Sequence, residues 1–317
     1  MSVGERKPLS LVSKICFGLS GFLDMPWTVF GAYANIYLVE IAQLPPLFGT
    51  SVAFGGRALD AVCNFIVAPL IEKTDTRWGK IKPWLLGSLL LFAPMYTLVW
   101  YDPDVVLEGK LAWYLVLYIL FTLAKTALAV STRTYVMYLS PDSEDRDSAT
   151  AYRGLFGLVS MIAGIAIHGQ IVASYTKVQI GPCANGTNNP VNTTNSTMDH
   201  ALLAEEKTGY LISAGVIAAI TFVCILAPVV GTTEQRDNSQ TSSQERNLSA
   251  LKMLRAVLTF RPNVYILGIQ FCVQITMTTM LGAVVLYVQL ALDLPEQIHN
   301  ATLIFAVSLL KKPSLRN

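Results

Sequence analysis

The sequence predicts an all-α integral membrane protein, for three reasons. Hydrophobic residues make up 53% of the 317 residues and charged residues only 14%, whereas a typical soluble domain is about a quarter charged. Apolar stretches of the roughly 20 residues that a helix needs to cross a bilayer recur along the chain. The net charge of +2 gives no basis for a nucleic-acid partner, and no hydrolase, haem or nucleotide-binding motif occurs. We therefore expect a membrane protein that is not an enzyme.

Seven stretches have the length and composition of membrane spans. They cover residues 15–39, 48–71, 83–101, 111–139, 154–175, 209–230 and 263–291. An eighth apolar stretch begins near His299 and stops at Leu310, which is too short to cross a bilayer. We therefore expect seven complete spans and part of an eighth.

The spans fall into two groups. Residues 1–14 are a polar, basic N-terminus without a cleavable signal peptide, so the first span acts as the targeting signal. Residues 15–231 hold six spans, and the polar residues 232–262 form a linker to residues 263–317, which begin a second group. Six spans, a long linker and further spans are the layout of a transporter built from two helical bundles.

Loop charges and glycosylation sequons predict the orientation. With a cytoplasmic N-terminus, the inside segments hold fourteen Lys and Arg residues, including Arg153 just before span five, and the outside loops hold only three lysines. That distribution follows the positive-inside rule. The predicted outside loop, residues 176–208, carries sequons at Asn185, Asn192 and Asn195. Because N-glycosylation occurs on the outside, the sequons predict the same orientation.

Span two contains an unexpected pair of charges in the stretch "FGGRALDAVCNF". A charge at the bilayer centre costs at least ~2.5 kcal/mol. Arg57 and Asp60 are three residues apart, so they share a helix face and can pair. The pair either lets the helix insert, or Asp60 binds a cation with help from Asn64, one turn further along.

Charges in spans one and four leave further alternatives. Asp24 stands two residues before Pro26 in span one and is either a second carboxylate in a cavity or an interfacial residue. Lys125 and Arg133 are eight residues apart in span four, roughly on one face. They can face a lipid phosphate, extend to the membrane interface, pair with Asp24 or Asp60, or reflect divergence after loss of transport.

Span five predicts close packing. Its stretch "GLFGLVSMIAGIAIHG" places small residues three and four apart, which lets a neighbouring helix approach closely. The same span holds His168, and a lone membrane histidine is typically hydrogen-bonded between helices.

Two stretches resemble one transporter family. "RALDAVCN" resembles the second-helix signature of the glycoside–pentoside–hexuronide:cation symporters of the major facilitator superfamily, with matches at Arg57, Asp60 and Ala61. It departs at Asn64 and Phe65, where the family has Asp and Pro. "RDSATAYR", followed by "GIAIHGQIV", closely resembles the sodium-dependent lysophosphatidylcholine symporter branch of that family.

The resemblance implies a fold and a function. The fold would be a complete N-terminal six-helix half plus one to two helices of the C-terminal half, an apparently truncated bundle. The function would be sodium-coupled symport of a lysophospholipid by alternating access. Asp60 and Asn64 would bind the cation, although Asn64 keeps an oxygen ligand and loses a charge. Arg57 would pair with Asp60 or touch the headgroup, and Lys125 and Arg133 would contact its phosphate.

The resemblance also extends to two loops. "EKTDTRWGKIKPW" resembles the loop between helices two and three that acts as a cytoplasmic latch in the superfamily, with Asp75, Arg77, Gly79 and Lys80 fitting its pattern. Cys183 in the outside loop resembles half of a disulfide whose partner would be absent from this chain.

Other functions stay open. A non-transporting membrane protein, either a regulatory partner or a vestigial paralogue, fits Asn64, Phe65 and the altered span four. A sugar:cation symporter of the same family is another candidate, whereas a seven-span receptor would have inverted topology. We expect no cofactor beyond sodium as the coupling ion, and a location in the plasma membrane or endoplasmic reticulum. The sequence does not predict an oligomeric state.

Overall fold

A computed structural model describes residues 9–74, 76–175, 195–234 and 259–286, and within them a helix occurs at each of the seven predicted spans. Apart from an isolated bridge between Thr76 and Gly79, the regular structure of the described residues is helical. The all-α prediction is therefore confirmed. The helices are α1 (Leu11–Ile41), α2 (Pro46–Lys73), α3 (Lys82–Val99), α4 (Leu107–Tyr135), α5 (Ser143–Tyr175), α6 (Asn195–Gly231) and α7 (Arg261–Leu286).

Five of these helices have the length and apolar composition needed to cross a membrane. They are α1, α3, α4, α5 and the part of α6 at Leu203–Gly231. Helix α2 contributes a shorter apolar stretch, Val62–Ile71. The predicted stump after His299 lies outside the described residues.

Two helices begin earlier than the apolar pattern indicated. Helix α5 begins at Ser143 rather than near 154, and α6 begins at Asn195 rather than near 209. Polar turns therefore extend both helices beyond their apolar parts. Arg153, predicted to lie just before the apolar part of span five, therefore lies in the third turn of α5.

Helix α1 is irregular near its proline. An α-helical segment from Leu11 to Gly18 is followed by a 3-10 turn at Leu19–Leu23, an α-helix from Asp24 to Ile36 and a π-helical turn at Tyr37–Ile41. Because Pro26 has no N–H to donate to the carbonyl four residues earlier, the preceding turn tightens into the 3-10 form. Asp24 lies at that change of helix type.

The chain divides into two compact units. Residues Met1–Gln235 form the first, which contains α1 to α6, and Arg236–Asn317 form the second, which contains α7. The core of the first unit is aromatic: the rings of Trp100 and Tyr210 stack with centroids 5.7 Å apart. The His168 Nδ1 atom lies 2.6 Å from Ser213 Oγ of α6, so the expected hydrogen bond between helices is present.

Helices α1 and α5 pack backbone to backbone. The Gly21 carbonyl accepts a hydrogen bond of 3.2 Å from Ser160 Oγ, and a Cβ at Gly21 would collide with the backbone at Arg153 and Gly157. A Cβ at Gly157 would lie 2.9 Å from the Asp24 Oδ2 atom. The small residues of span five therefore serve the close packing that the sequence predicted.

A buried carboxylate in the connection after α3 joins that connection to α4 and α6. Asp102, in the connection after α3, has a side chain that is 0% exposed and lies 2.8 Å from Lys110 Nζ of α4. Its second oxygen lies 2.6 Å from Lys207 Nζ of α6. Two of the three lysines predicted to lie outside are thus paired with one aspartate.

Candidate functional site

Asp60 lies near the middle of the 28-residue helix α2, and both of its carboxylate oxygens contact α4. The Lys125 Nζ atom is 3.0 Å from Asp60 Oδ2, and the Thr126 hydroxyl donates to Asp60 Oδ1. Of the alternatives left open for Lys125, pairing with Asp60 is the one the structure contains. The two side chains remain 16% and 30% exposed, so the pair is accessible rather than sealed in the core.

Asn64 faces the backbone of the same helix. Its Nδ2 atom donates to the Asp60 carbonyl at 2.7 Å, which holds the amide one turn from the carboxylate. Arg57 belongs to α2, but its side chain lies outside the described residues. The expected pair of Arg57 with Asp60 therefore stays a prediction.

An aromatic ring from α1 covers the lysine. The Lys125 Nζ atom stands 3.9 Å from the centroid of the Trp27 ring, a geometry in which the indole face attracts the ammonium. The ammonium is thus held from two sides, by a carboxylate of α2 and a ring of α1.

A second carboxylate lies close to this pair. Asp24 interacts electrostatically with Arg153 of α5 and with Arg133 and Lys125 of α4. Its carboxylate faces α5 at Gly157. Asp24 is therefore near three cations, and the choice between a cavity carboxylate and an interfacial residue stays a prediction. The described charges of this cluster, which we call the inner cluster, are Asp24, Asp60, Lys125, Arg133 and Arg153.

Positive charge predominates in the inner cluster. Three cations stand against two carboxylates among the described side chains. Arg133 is exposed and Arg153 is half-buried, and the Arg153 Nε atom is buried without a hydrogen-bond partner. A guanidinium in this state is suited to accept an anionic ligand, since Arg forms paired hydrogen bonds with phosphate or carboxylate oxygens.

The loop between α2 and α3 is held by a residue that follows α6. Glu234 Oε1 accepts from the backbone N–H groups of Lys80 at 2.7 Å and Ile81 at 3.3 Å. These groups precede α3, so the carboxylate caps the positive end of that helix. Gly79 has a φ of +114°, and a Cβ there would collide with the Glu234 carboxylate.

The other predicted latch residues differ in their environment. Asp75 lies outside the described residues, and Arg77 is exposed. Lys80 contributes its backbone N–H to Glu234. Lys82, which also fits the pattern, donates from Nζ to the Thr232 carbonyl at 2.6 Å. The loop is therefore fastened to the end of α6 mainly through backbone groups.

Three predicted site residues lie outside the described residues, and a fourth is described only by its place in a helix. Cys183, Asn185 and Asn192 belong to residues 176–194, and Asn195 is described only as the first residue of α6. Glycosylation and the disulfide half therefore stay predictions.

Five residues that the structure places at these sites were not predicted from the sequence to belong there. Thr126 and Trp27 contact the Asp60–Lys125 pair, Arg153 belongs to the inner cluster, Glu234 caps α3, and Asp102 pairs with two lysines. Arg153 carried a signal, because a helical reading of "EDRDSATAYRG" extends α5 back to the polar residues. The other contacts depend on which helices become neighbours.

Comparisons with known proteins agree on one family. Residues 15–311 match the family described as MFS/sugar transport protein. The chain is 34% identical over 247 residues to sodium-dependent lysophosphatidylcholine symporter 1 of Gallus gallus, covering 76% of this chain and 47% of that protein. It is 32% identical over 314 residues to sodium-dependent lysophosphatidylcholine symporter 1-A of Danio rerio, covering 96% and 58% respectively.

A relative with a different named substrate also matches. The chain is 29% identical over 307 residues to sphingosine-1-phosphate transporter MFSD2B of Xenopus tropicalis, covering 95% of this chain and 58% of that protein. The chain spans about half the length of the curated relatives it matches.

Proposed function

Because the chain belongs to the MFS/sugar transport protein family of the major facilitator superfamily, we propose that it acts in transport of single-chain lipids with a phosphate headgroup. Lysophosphatidylcholine and sphingosine-1-phosphate, the substrates in the relatives' names, share one hydrocarbon chain and a phosphate. The mechanism would be alternating access, in which helical bundles rock about a substrate site.

The observation that carries the substrate class is the excess of positive charge in the inner cluster. Arg133 and Arg153 would hold the phosphate, while the lipid chain would follow apolar helix surfaces. A sugar lacks the charge that such a cluster would neutralise, so the cluster favours the lipid over the sugar alternative. The N-terminus would be cytoplasmic, as the loop charges and sequons suggest. The membrane would be the plasma membrane, which only the resemblance to the symporter family suggests, or the endoplasmic reticulum.

Uptake measurements test this function. Cells expressing the chain at the surface receive labelled lysophosphatidylcholine or sphingosine-1-phosphate, in separate arms, so that a zwitterionic and an anionic headgroup are compared. We expect uptake above that of mock cells. Arg133→Gln and Arg153→Gln should each lower it roughly 10–100-fold, since a hydrogen bond to a charged group contributes about 1.5–3 kcal/mol. Arg146→Gln, near the start of α5, is the matched control.

Absence of uptake by well-expressed surface protein would reject transport by this chain. A binding or vestigial role would then be the better interpretation. Uptake that is insensitive to both inner-cluster arginines would reject their assignment to the phosphate.

Sodium coupling depends on what Asp60 binds. The resemblance implies sodium, with Asp60 and Asn64 as ligands. The Asp60 carboxylate already contacts the ammonium group of Lys125, which competes with sodium for this carboxylate. Asn64→Asp adds a carboxylate one turn away, and we expect that variant to make uptake depend on sodium.

A further inference from the structure

We propose that the Lys125 ammonium is the built-in counter-cation of Asp60, so that this site works without a bound sodium ion. The role in transport rests on the function proposed above, whereas the occupation of the site by Lys125 does not. A residue of the protein thus takes the place that a free cation would fill, and this determines the specificity of coupling.

Both carboxylate oxygens of Asp60 already have partners in the protein. One carboxylate oxygen is 3.0 Å from Lys125 Nζ and the other accepts from the Thr126 hydroxyl. Lys125 and Thr126 are consecutive residues of α4, so one helix supplies both partners. Both oxygens of the carboxylate are therefore engaged by α4, and a sodium ion would have to compete with the ammonium to bind there.

The charge balance of the inner cluster also disfavours a further cation. With Lys125 in place, Asp60 is neutralised, and the inner cluster already holds more cations than carboxylates among its described side chains. Adding a sodium ion would raise that excess of positive charge, and like charges repel one another. Asn64 contributes no negative charge and donates its amide N–H to the Asp60 carbonyl.

The Lys125 ammonium is also held at Asp60 by a contact with a third helix. A lysine that extended to the membrane interface would leave Asp60 free to bind an ion. Here the Trp27 ring lies 3.9 Å from Lys125 Nζ on another helix. The ring attracts the ammonium and helps to keep it at the carboxylate.

The test measures whether sodium stabilises the purified, full 317-residue chain. Thermal unfolding is recorded in sodium chloride and in choline chloride at equal ionic strength. The wild-type Tm should be the same in both salts. Lys125→Gln should free Asp60, and its Tm should rise by roughly 2–4 °C for each tenfold increase in sodium above the dissociation constant. The same gain should appear in Lys125→Met, whose unbranched side chain has a similar shape.

Two controls isolate the carboxylate and the charge. Asp60→Asn combined with Lys125→Gln should abolish the sodium response, and Lys125→Arg should stay insensitive because it keeps a cation. Sodium stabilisation of the wild type that disappears in Asp60→Asn would overturn the proposal, even if no Lys125 variant folds. Folded Lys125→Gln and Lys125→Met proteins without a sodium response would overturn it as well. These outcomes concern ion binding alone, and failure of lipid uptake would leave them unchanged.

Discussion

The ion pairs of Asp102 with Lys110 and Lys207 allow a test of what stabilises the first unit. The perturbation is Asp102→Asn, which keeps the size of the side chain and removes its charge. In the wild type, the Asp102 side chain is 0% exposed and contacts Lys110 at 2.8 Å and Lys207 at 2.6 Å. The substitution leaves two ammonium groups, one on α4 and one on α6, without their common carboxylate.

The expected loss can be estimated from the exposure of the partners. Breaking a buried ion pair by removing one member costs about 3–5 kcal/mol. Lys110 and Lys207 remain 18% and 27% exposed, so water compensates part of the lost attraction. We therefore expect a loss of about 2–3 kcal/mol in the free energy of unfolding, and a Tm lowered by roughly 4–12 °C.

The assay and its control come from the same loop. Thermal unfolding of the detergent-solubilised protein is compared for the wild type, Asp102→Asn and Asp104→Asn. Asp104 is exposed, so its substitution should change Tm by less than about 2 °C. Equal Tm values for the two variants would refute the reasoning, because burial and pairing would then have no measurable effect.

Three further predictions concern two glycines, each with a matched control position, and the glycosylation sequons. Gly79→Ala should lower the free energy of unfolding by about 1–2 kcal/mol because the φ of Gly79 is +114°. Gly87→Ala, whose new Cβ would meet no atom within 4 Å, should be neutral or slightly stabilising. Equal Tm values for the two variants in thermal unfolding would contradict this prediction. Gly21→Ala should cost about 1–3 kcal/mol by overpacking, while Gly31→Ala has open space and should not destabilise in the same melts. Replacing the asparagines of the three outside-loop sequons by Gln should abolish the mobility shift produced by glycosidase, whereas a shift that persists and is removed by Asn247→Gln, in the predicted cytoplasmic linker, would contradict the predicted orientation.

The parts of the fold that depend on local patterns could be predicted from the sequence. Apolar runs of about 20 residues indicated the helices, and small residues three and four apart indicated the packing of α5 against α1. The ends of helices were less predictable. Polar turns such as those around Arg153 belong to a helix without belonging to its apolar stretch, so hydropathy did not include them.

The partners within the site could not be predicted, because they join distant parts of the chain. Asp60 and Lys125 are 65 residues apart, and Glu234 lies 154 residues from Lys80. Charge and spacing restricted Lys125 to a few possible partners, among them Asp60. Only the packing of α4 against α2 determines which partner it meets. Glu234 gave no local signal, since a single glutamate after an apolar helix resembles any solvated residue.

The contact between Trp27 and Lys125 makes the fluorescence of Trp27 sensitive to the state of the Asp60–Lys125 pair. The field of an ammonium 3.9 Å from an indole ring shifts the energy of the ring's excited state, so the emission of Trp27 depends on where Lys125 lies. Trp27 is one of five tryptophans, and the difference spectrum between wild type and Trp27→Phe isolates its signal. Any event that draws Lys125 away from Asp60 should therefore be visible as a change in fluorescence, without a label attached to the protein.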